Sequence, residues 1–211
     1  MVATSSKTPS STDVIPAEGL LVRILDRKEV QTLAYHGAMS SHKSSLWWGT
    51  AVGYRAMQMA AIGMSTNGLW SRENLYVVSG HPGPGVLDAI DYVTHCRQHD
   101  RLYVVKNPNC QNKCNSAMKF DWWISDGEKT IAVRLRPDFV GQDFYELADR
   151  LGPNQTKEDL KEFEISKVTL STRIWNAPLE ENFTIEIWPT VLQPGELPED
   201  EGLKSLLHTR T

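Results

Sequence analysis

Between residues 47 and 64 the apolar positions recur with the period of a helix. In WWGTAVGYRAMQMAAIGM the small residues Gly49, Gly53, Ala56 and Ala60 fall at i, i+4, i+7 and i+11, a single stripe of the helix surface. A neighbouring face carries the bulkier Trp48, Val52, Met59 and Ile62. A stripe of small side chains lets another backbone approach closely, so the chain is expected to be organised around this helix. Gly63, Asn67 and Gly68 are its stop signals. Upstream, Glu29 to Tyr35 reads as a short helix. It feeds a polar loop carrying His36, His42 and Lys43, with Ser44 or Ser45 as N-cap.

Downstream the period changes. Glu73 to Ser79 (ENLYVVS) has the apolar centre of a buried strand. Gly80-His81-Pro82-Gly83-Pro84-Gly85 is a rigid turn, and Val86 to Cys96 follows as a helix with Leu87, Ile90 and Val93 on one face. Leu102 to Lys106 completes a strand–turn–helix–strand unit. Met118 to Ser125 and Thr130 to Arg136 read as strands joined through the hairpin signal Asp126-Gly127. Ile131, Val133 and Leu135 alternate with Arg134 and Arg136, as in a sheet with one face on the core. The same alternation sends Trp122 and Trp123 to opposite faces, which puts one of them on the less buried side or in a pocket. Phe144 to Leu151 is an amphipathic helix closed by Gly152-Pro153, and Thr156-x-x-Asp159 opens another through Leu160 and Phe163. Phe183 to Trp188 is the last strand.

Composition bounds the class. Length and the shift in composition at both ends predict one domain over 20–190, a Ser/Thr/Pro-rich disordered segment over 1–19, and a Pro/Gly/acid-rich tail over 191–211. With 22 basic against 26 acidic residues there is no electrostatic case for nucleic acid. No apolar run suits a membrane span and the N-terminus lacks the apolar region of a secretory signal, so a soluble cytoplasmic protein is expected. Three cysteines, an odd number, argue against a disulfide framework. Cys110 and Cys114 form a lone Cys-x3-Cys, a weak metal signal without a second pair. The Gly/Pro turn matches neither nucleotide fingerprint, and its prolines lack the amide donors a phosphate needs. Seven tryptophans favour an aromatic-lined site or a large contact surface.

Three separated motifs, in order, carry a family resemblance. Tyr35-His36-Gly37 with Gly53-Tyr54-Arg55 resembles the opening HGHxCPG…GYR motif of the FmdE-like family, which takes its name from a component of formylmethanofuran dehydrogenase. Asp88-Ala89-Ile90 through Cys96 is similar to its CAVDAIQVxTGCT segment. Ala177-Pro178-Leu179-Glu180-Glu181-Asn182-Phe183 looks like its closing turn. The resemblance spans about residues 31 to 188 and implies an α+β fold, with helices packed on a mixed sheet, in a protein that forms homodimers. It also implies a transition-metal module. Here, however, Trp47 and Gly85 fall where the family has cysteines, only Cys96 is kept, and the zinc ribbon of longer members is absent.

Two functional expectations follow. Zinc retained on the scaffold would need His36, His42, His81 and Cys96 to converge. In the favoured reading the site has lost its metal and gained aromatics, and it needs no cofactor. Tyr35, Lys43, Trp47, Trp48, Trp122 and Trp123 then bind a small apolar molecule, and His36, His42 or His81 moves a proton or hydrogen-bonds a carbonyl. The chemistry expected is isomerisation, cyclisation or a lyase reaction. A non-catalytic dimeric binding module is the remaining alternative, and an exposed tryptophan patch without a cavity would favour it.

Overall fold

A computed structural model describes residues 21–41, 47–64, 69–106, 117–200 and 203. His42, Lys43, Ser44, Ser45, Cys110 and Cys114 lie outside the described residues, as do positions 1–20 and most positions after 200. The backbone of Trp47 is described and its side chain is not.

The chain opens with a hairpin, β1 (Leu21–Asp26) and β2 (Glu29–Ala34), paired from Leu21 opposite Ala34 to Asp26 opposite Glu29. The segment expected as a short helix is therefore a strand. Its two-residue turn is Arg27-Lys28, with φ of 48° and 70°. Two positive φ values match the right-handed twist of a hairpin, a turn that Asn-Gly usually marks, so the signal is missing from the sequence. β3 (Leu69–Ser71) adds in parallel to β1, giving a three-stranded sheet of order β2-β1-β3. Helix α1 (Tyr35–Ser41) replaces the loop expected around His36.

Helix α2 (Trp47–Met64) lies at the centre of the molecule. It packs on α3 (Pro84–Thr94), on α5 (Lys157–Asn176) and on the second sheet. The small stripe makes the α3 contact. A Cβ at Gly53 would stand 2.9 Å from the Val86 carbonyl oxygen and 3.2 Å from Cβ of Ala89. Ile62 departs from the expected pattern, because the last turn of α2 leaves it exposed.

The second sheet has the order β5-β4-β6-β7-β8. Strand β4 (Tyr76–Ser79) pairs in parallel with β5 (Leu102–Val104), and the strand–turn–helix–strand unit is closed by α3. Strands β6 (Asp121–Ser125), β7 (Thr130–Leu135) and β8 (Phe183–Trp188) continue antiparallel, with the Asp126-Gly127 turn between β6 and β7 as expected. The α4 (Gln142–Arg150) and α5 hairpin packs across the helical face, and α6 (Leu179–Asn182) leads into β8. Thr156 caps α5 through a reciprocal box with Asp159, as its spacing predicts.

Both faces of this sheet are covered. On one side lies the main core with α2, and on the other Tyr76, Val78, Trp123 and Ala132 pack with Leu192 and Leu203. The segment beyond 190 was expected as an unpacked tail. Instead it is anchored by the Tyr76 hydroxyl donating to the Glu196 carbonyl at 2.8 Å and by an ion pair between Arg134 and Asp200. The cause is the apolar character of β4 and β6 on both faces, which a one-sided sheet would leave in water.

Candidate functional site

Strand β4 ends at Ser79, and the Gly80–Gly85 turn then lifts the chain into α3. Here, beyond the carboxyl end of the parallel pair, open α/β units place their ligands. A cavity of about 510 Å³ lies against this turn. One wall is the turn itself, His81 to Gly85, with Trp48 and Gly49 of α2. Met118 and Phe120, just before β6, form the floor. Opposite stand Phe144 and Ala148 of α4, Leu151, Gly152 and Gln155 of the connection, and Phe163 and Lys167 of α5. Volume and an apolar lining with a few polar groups fit a small organic ligand.

His81 is the polar centre of that wall, only 5% exposed. Its Nδ1 accepts a hydrogen bond from the Gly83 amide at 3.0 Å. A neutral imidazole with Nδ1 as acceptor carries its proton on Nε2. That Nε2 is buried and has no hydrogen-bond partner among the described residues. An unpaired buried donor costs about 1–3 kcal/mol, so the group is held against a cost that a ligand acceptor would relieve. The ring is fixed by Phe120, 4.4 Å away between centroids, and by Gly83, where an added Cβ would fall 2.5 Å from Cε1. Only glycine at 83 leaves room for the imidazole to fold back over the turn. The first turn of α3, capped at Gly83 with Pro84 in its first positions, brings the positive end of its dipole to the same wall.

Burial pulls the His81 imidazole down to about 4 from an ordinary 6.5. It is therefore neutral near pH 7, better suited to donate a hydrogen bond than to act as a base. The shift also predicts an acid limb of stability. Between pH 6.5 and 4 the unfolded chain binds a proton that the folded chain refuses. The contribution is complete above the upper value and is lost as pH falls through the lower one, on the order of 3 kcal/mol in all. Asp26, held below the usual carboxylate range by its hydrogen bond to Arg72, is lost only at lower pH. Urea midpoints measured from pH 7 down to pH 4 are expected to fall, and to fall less in His81→Phe.

The other expected site residues are scattered. His36 is exposed on α1 and is not among the described residues of the cavity wall. Tyr35 is buried in the core against Trp175 and Tyr54, with its hydroxyl on Met39 Sδ at 3.0 Å. Trp122 and Trp123 do point to opposite faces of β6, but each is fully buried in a different core and neither reaches the cavity. Their expected role in binding substrate is corrected to packing, because the C-terminal segment covers the face that was expected open. Trp48 does line the cavity, stacked on Phe139 with 5.9 Å between centroids.

The expected zinc set does not assemble either. His81 precedes α3 and Cys96 follows it, so eleven helical residues, a rise of about 16 Å, separate them. The Cys96 thiol lies 3.2 Å from the Leu75 carbonyl oxygen, which accepts its hydrogen bond, and burial pushes it up to about 11. Zinc needs thiolates and imidazoles within one coordination sphere. Among the described residues no three His, Cys, Asp or Glu side chains converge on such a point. The described residues do not fit a metal.

Sequence reasoning passed over Lys167. It is 4% exposed and lines the cavity, with Nζ 2.6 Å from Glu164 Oε1 and 5.2 Å from the Phe163 ring centre. The signal was present, since Phe163, Lys167, Leu170 and Ile174 sit at i, i+4, i+7 and i+11, a lysine inside an apolar stripe.

An α+β domain with two mixed sheets and a closed helical face defines the class. The chain belongs to the FmdE family, described as "FmdE, Molybdenum formylmethanofuran dehydrogenase operon", whose profile matches residues 46–184. The match takes in Gly53-Tyr54-Arg55, Asp88-Ala89-Ile90 and the closing Ala177–Phe183 turn, and it begins after Tyr35-His36-Gly37. No curated protein matches the chain. No helix among the described residues is long and apolar enough to cross a membrane.

Proposed function

We propose that this protein transforms a small, largely apolar carbonyl compound in the Trp48–His81–Lys167 cavity, as an isomerase, cyclase or lyase that needs no cofactor. One observation carries the reading. A buried imidazole on the wall of an apolar cavity has its Nδ1 taken by the Gly83 amide and, among the described residues, no partner for its Nε2–H. The carbonyl oxygen of the substrate accepts that hydrogen bond. Negative charge that builds on this oxygen is stabilised by Nε2–H and by the positive end of α3. A neutral imidazole used as an electrophile is an established catalytic arrangement.

The remaining walls are Trp48, Phe120, Phe144 and Phe163, which select one folded conformation of a flexible substrate. Holding reacting atoms together is a large part of what a cyclase has to do. The tryptophans support the same reading. Among the tryptophans whose side chains are described, Trp48, Trp70, Trp122, Trp123 and Trp175 are buried and Trp188 is half-buried, so these six form no broad exposed patch. The test is to incubate the purified protein with an extract of small apolar metabolites and to compare species consumed and formed. Wild-type protein is expected to convert at least one compound into an isomer or an elimination product. No conversion would oppose the reading.

A further inference from the structure

We infer that the cavity takes an amphiphilic anion: an apolar body carrying a carboxylate, or the enolate of an acidic dicarbonyl, that is held by Lys167. The inference rests on the reading of the cavity as a substrate site and deepens it by naming the substrate's second polar group. The observation is a cation on the wall of a largely apolar chamber. Lys167 sits on the buried stripe of α5, its Nζ over the Phe163 ring, and Phe163 in turn stacks on Phe144 with 5.2 Å between centroids. The Lys167 ammonium is ion-paired at 2.6 Å with Glu164, whose side chain is 40% exposed at the rim while that of Lys167 is 6% exposed.

Burying an ammonium in apolar surroundings is costly and is repaid only by a well-placed anion. Glu164 supplies one from the wet side, where its own hydration opposes a rigid pairing. A ligand anion entering from the cavity would meet the ammonium in a drier place, where charge–charge attraction is stronger. It would exchange with Glu164, which can swing into solvent. His81 is a donor on the turn wall and Lys167 a cation on the α5 wall of the same chamber. A ligand with two acceptors, one neutral and one anionic, matches both.

Isothermal titration with octanoate, 1-octanol and octylamine tests this at low salt on the full chain. Octanoate is expected to bind at least about tenfold more tightly than 1-octanol, with octylamine weakest. Lys167→Met is expected to abolish the preference and Lys167→Arg to retain it, with circular dichroism confirming each fold. Glu164→Gln lies at the rim and is expected to tighten octanoate alone by removing the competing carboxylate. Equal affinity for octanoate and octanol, a preference that survives in Lys167→Met, or an unchanged octanoate affinity in Glu164→Gln would overturn the inference. Octanol binding without charge preference sinks this inference and leaves the cavity reading standing, whereas no binding of any probe sinks both.

Discussion

Replacing His81 by phenylalanine is expected to slow turnover by about 10²–10³-fold, the usual cost of removing one preorganised donor to a developing oxyanion. Phenylalanine keeps the ring that packs on Phe120 and fills the space over Gly83. It removes both nitrogens, so the Nε2–H donor disappears with little change of shape. His81→Gln restores a donor and an acceptor on a flexible side chain and is expected to recover part of the rate. A general acid or base would behave differently, because an amide cannot transfer the proton. Steady-state kinetics on the compound found by metabolite profiling measures both variants. Full activity in His81→Phe would remove His81 from the chemistry.

The second large effect is on stability and concerns the Gly53-Tyr54-Arg55 motif. Arg55 is buried on α2, and its guanidinium donates to the carbonyls of Ile174 at 3.2 Å and Ala177 at 2.9 Å. It also donates to Gln58 Oε1 at 3.2 Å and lies 5.1 Å over the Trp175 ring. Ile174 and Ala177 carry open carbonyls at the C-terminus of α5, and Asn182 donates to the same two groups. The arginine thus ties the central helix to the end of the helix that presents Lys167 and Phe163. Arg55→Leu is expected to cost about 3–5 kcal/mol, since charge-assisted bonds are lost and carbonyls are left underpaired. Thermal unfolding should then begin roughly 10 °C lower. Arg55→Lys should not restore it, because one ammonium cannot span the fork. A loss below about 1 kcal/mol would show that Asn182 caps α5 unaided.

This motif shows what family-level sequence features encode here. Gly53 is small because α3 crosses it, Ala89 of the Asp88-Ala89-Ile90 motif fills the other side of that seam, and Tyr54 donates to the Leu33 carbonyl at 2.6 Å. These residues build the scaffold. The unit β4–α3–β5, the β6–β7 hairpin and the capped α5 were legible because each carries a local physical signal: an apolar run, Asp126-Gly127, or Thr156 with Asp159. The β1–β2 hairpin was not, since Arg27-Lys28 adopts a turn usually written with glycine or asparagine. The packed C-terminal segment was foreshadowed only by Trp123 and Ala132, apolar on the face of β6 and β7 that the alternation left less buried.

The site was half legible. His81 stands in a Gly/Pro turn whose stiffness could be read directly, and Trp48 starts the central helix. Tyr35, Trp122 and Trp123 misled because large aromatics fill cores as readily as pockets, and residue type alone does not separate the two. Cys96 misled by matching a family position while its surroundings keep it a buried thiol. Lys167 was overlooked because a lysine on a helix is ordinarily solvated, and only its place in the apolar stripe distinguishes it.

The central claim is that His81 holds a neutral Nε2–H in the cavity for a carbonyl oxygen. Long-range ¹H–¹⁵N correlation spectra of protein labelled with ¹⁵N-histidine, titrated with 2-octanone at pH 6, test it directly. His81 is expected to be neutral, with its proton on Nε2, and its Nε2–H resonance to move as the ketone saturates the cavity. A protonated ring, the Nδ1–H tautomer, or an Nε2–H signal indifferent to saturating ketone would contradict it.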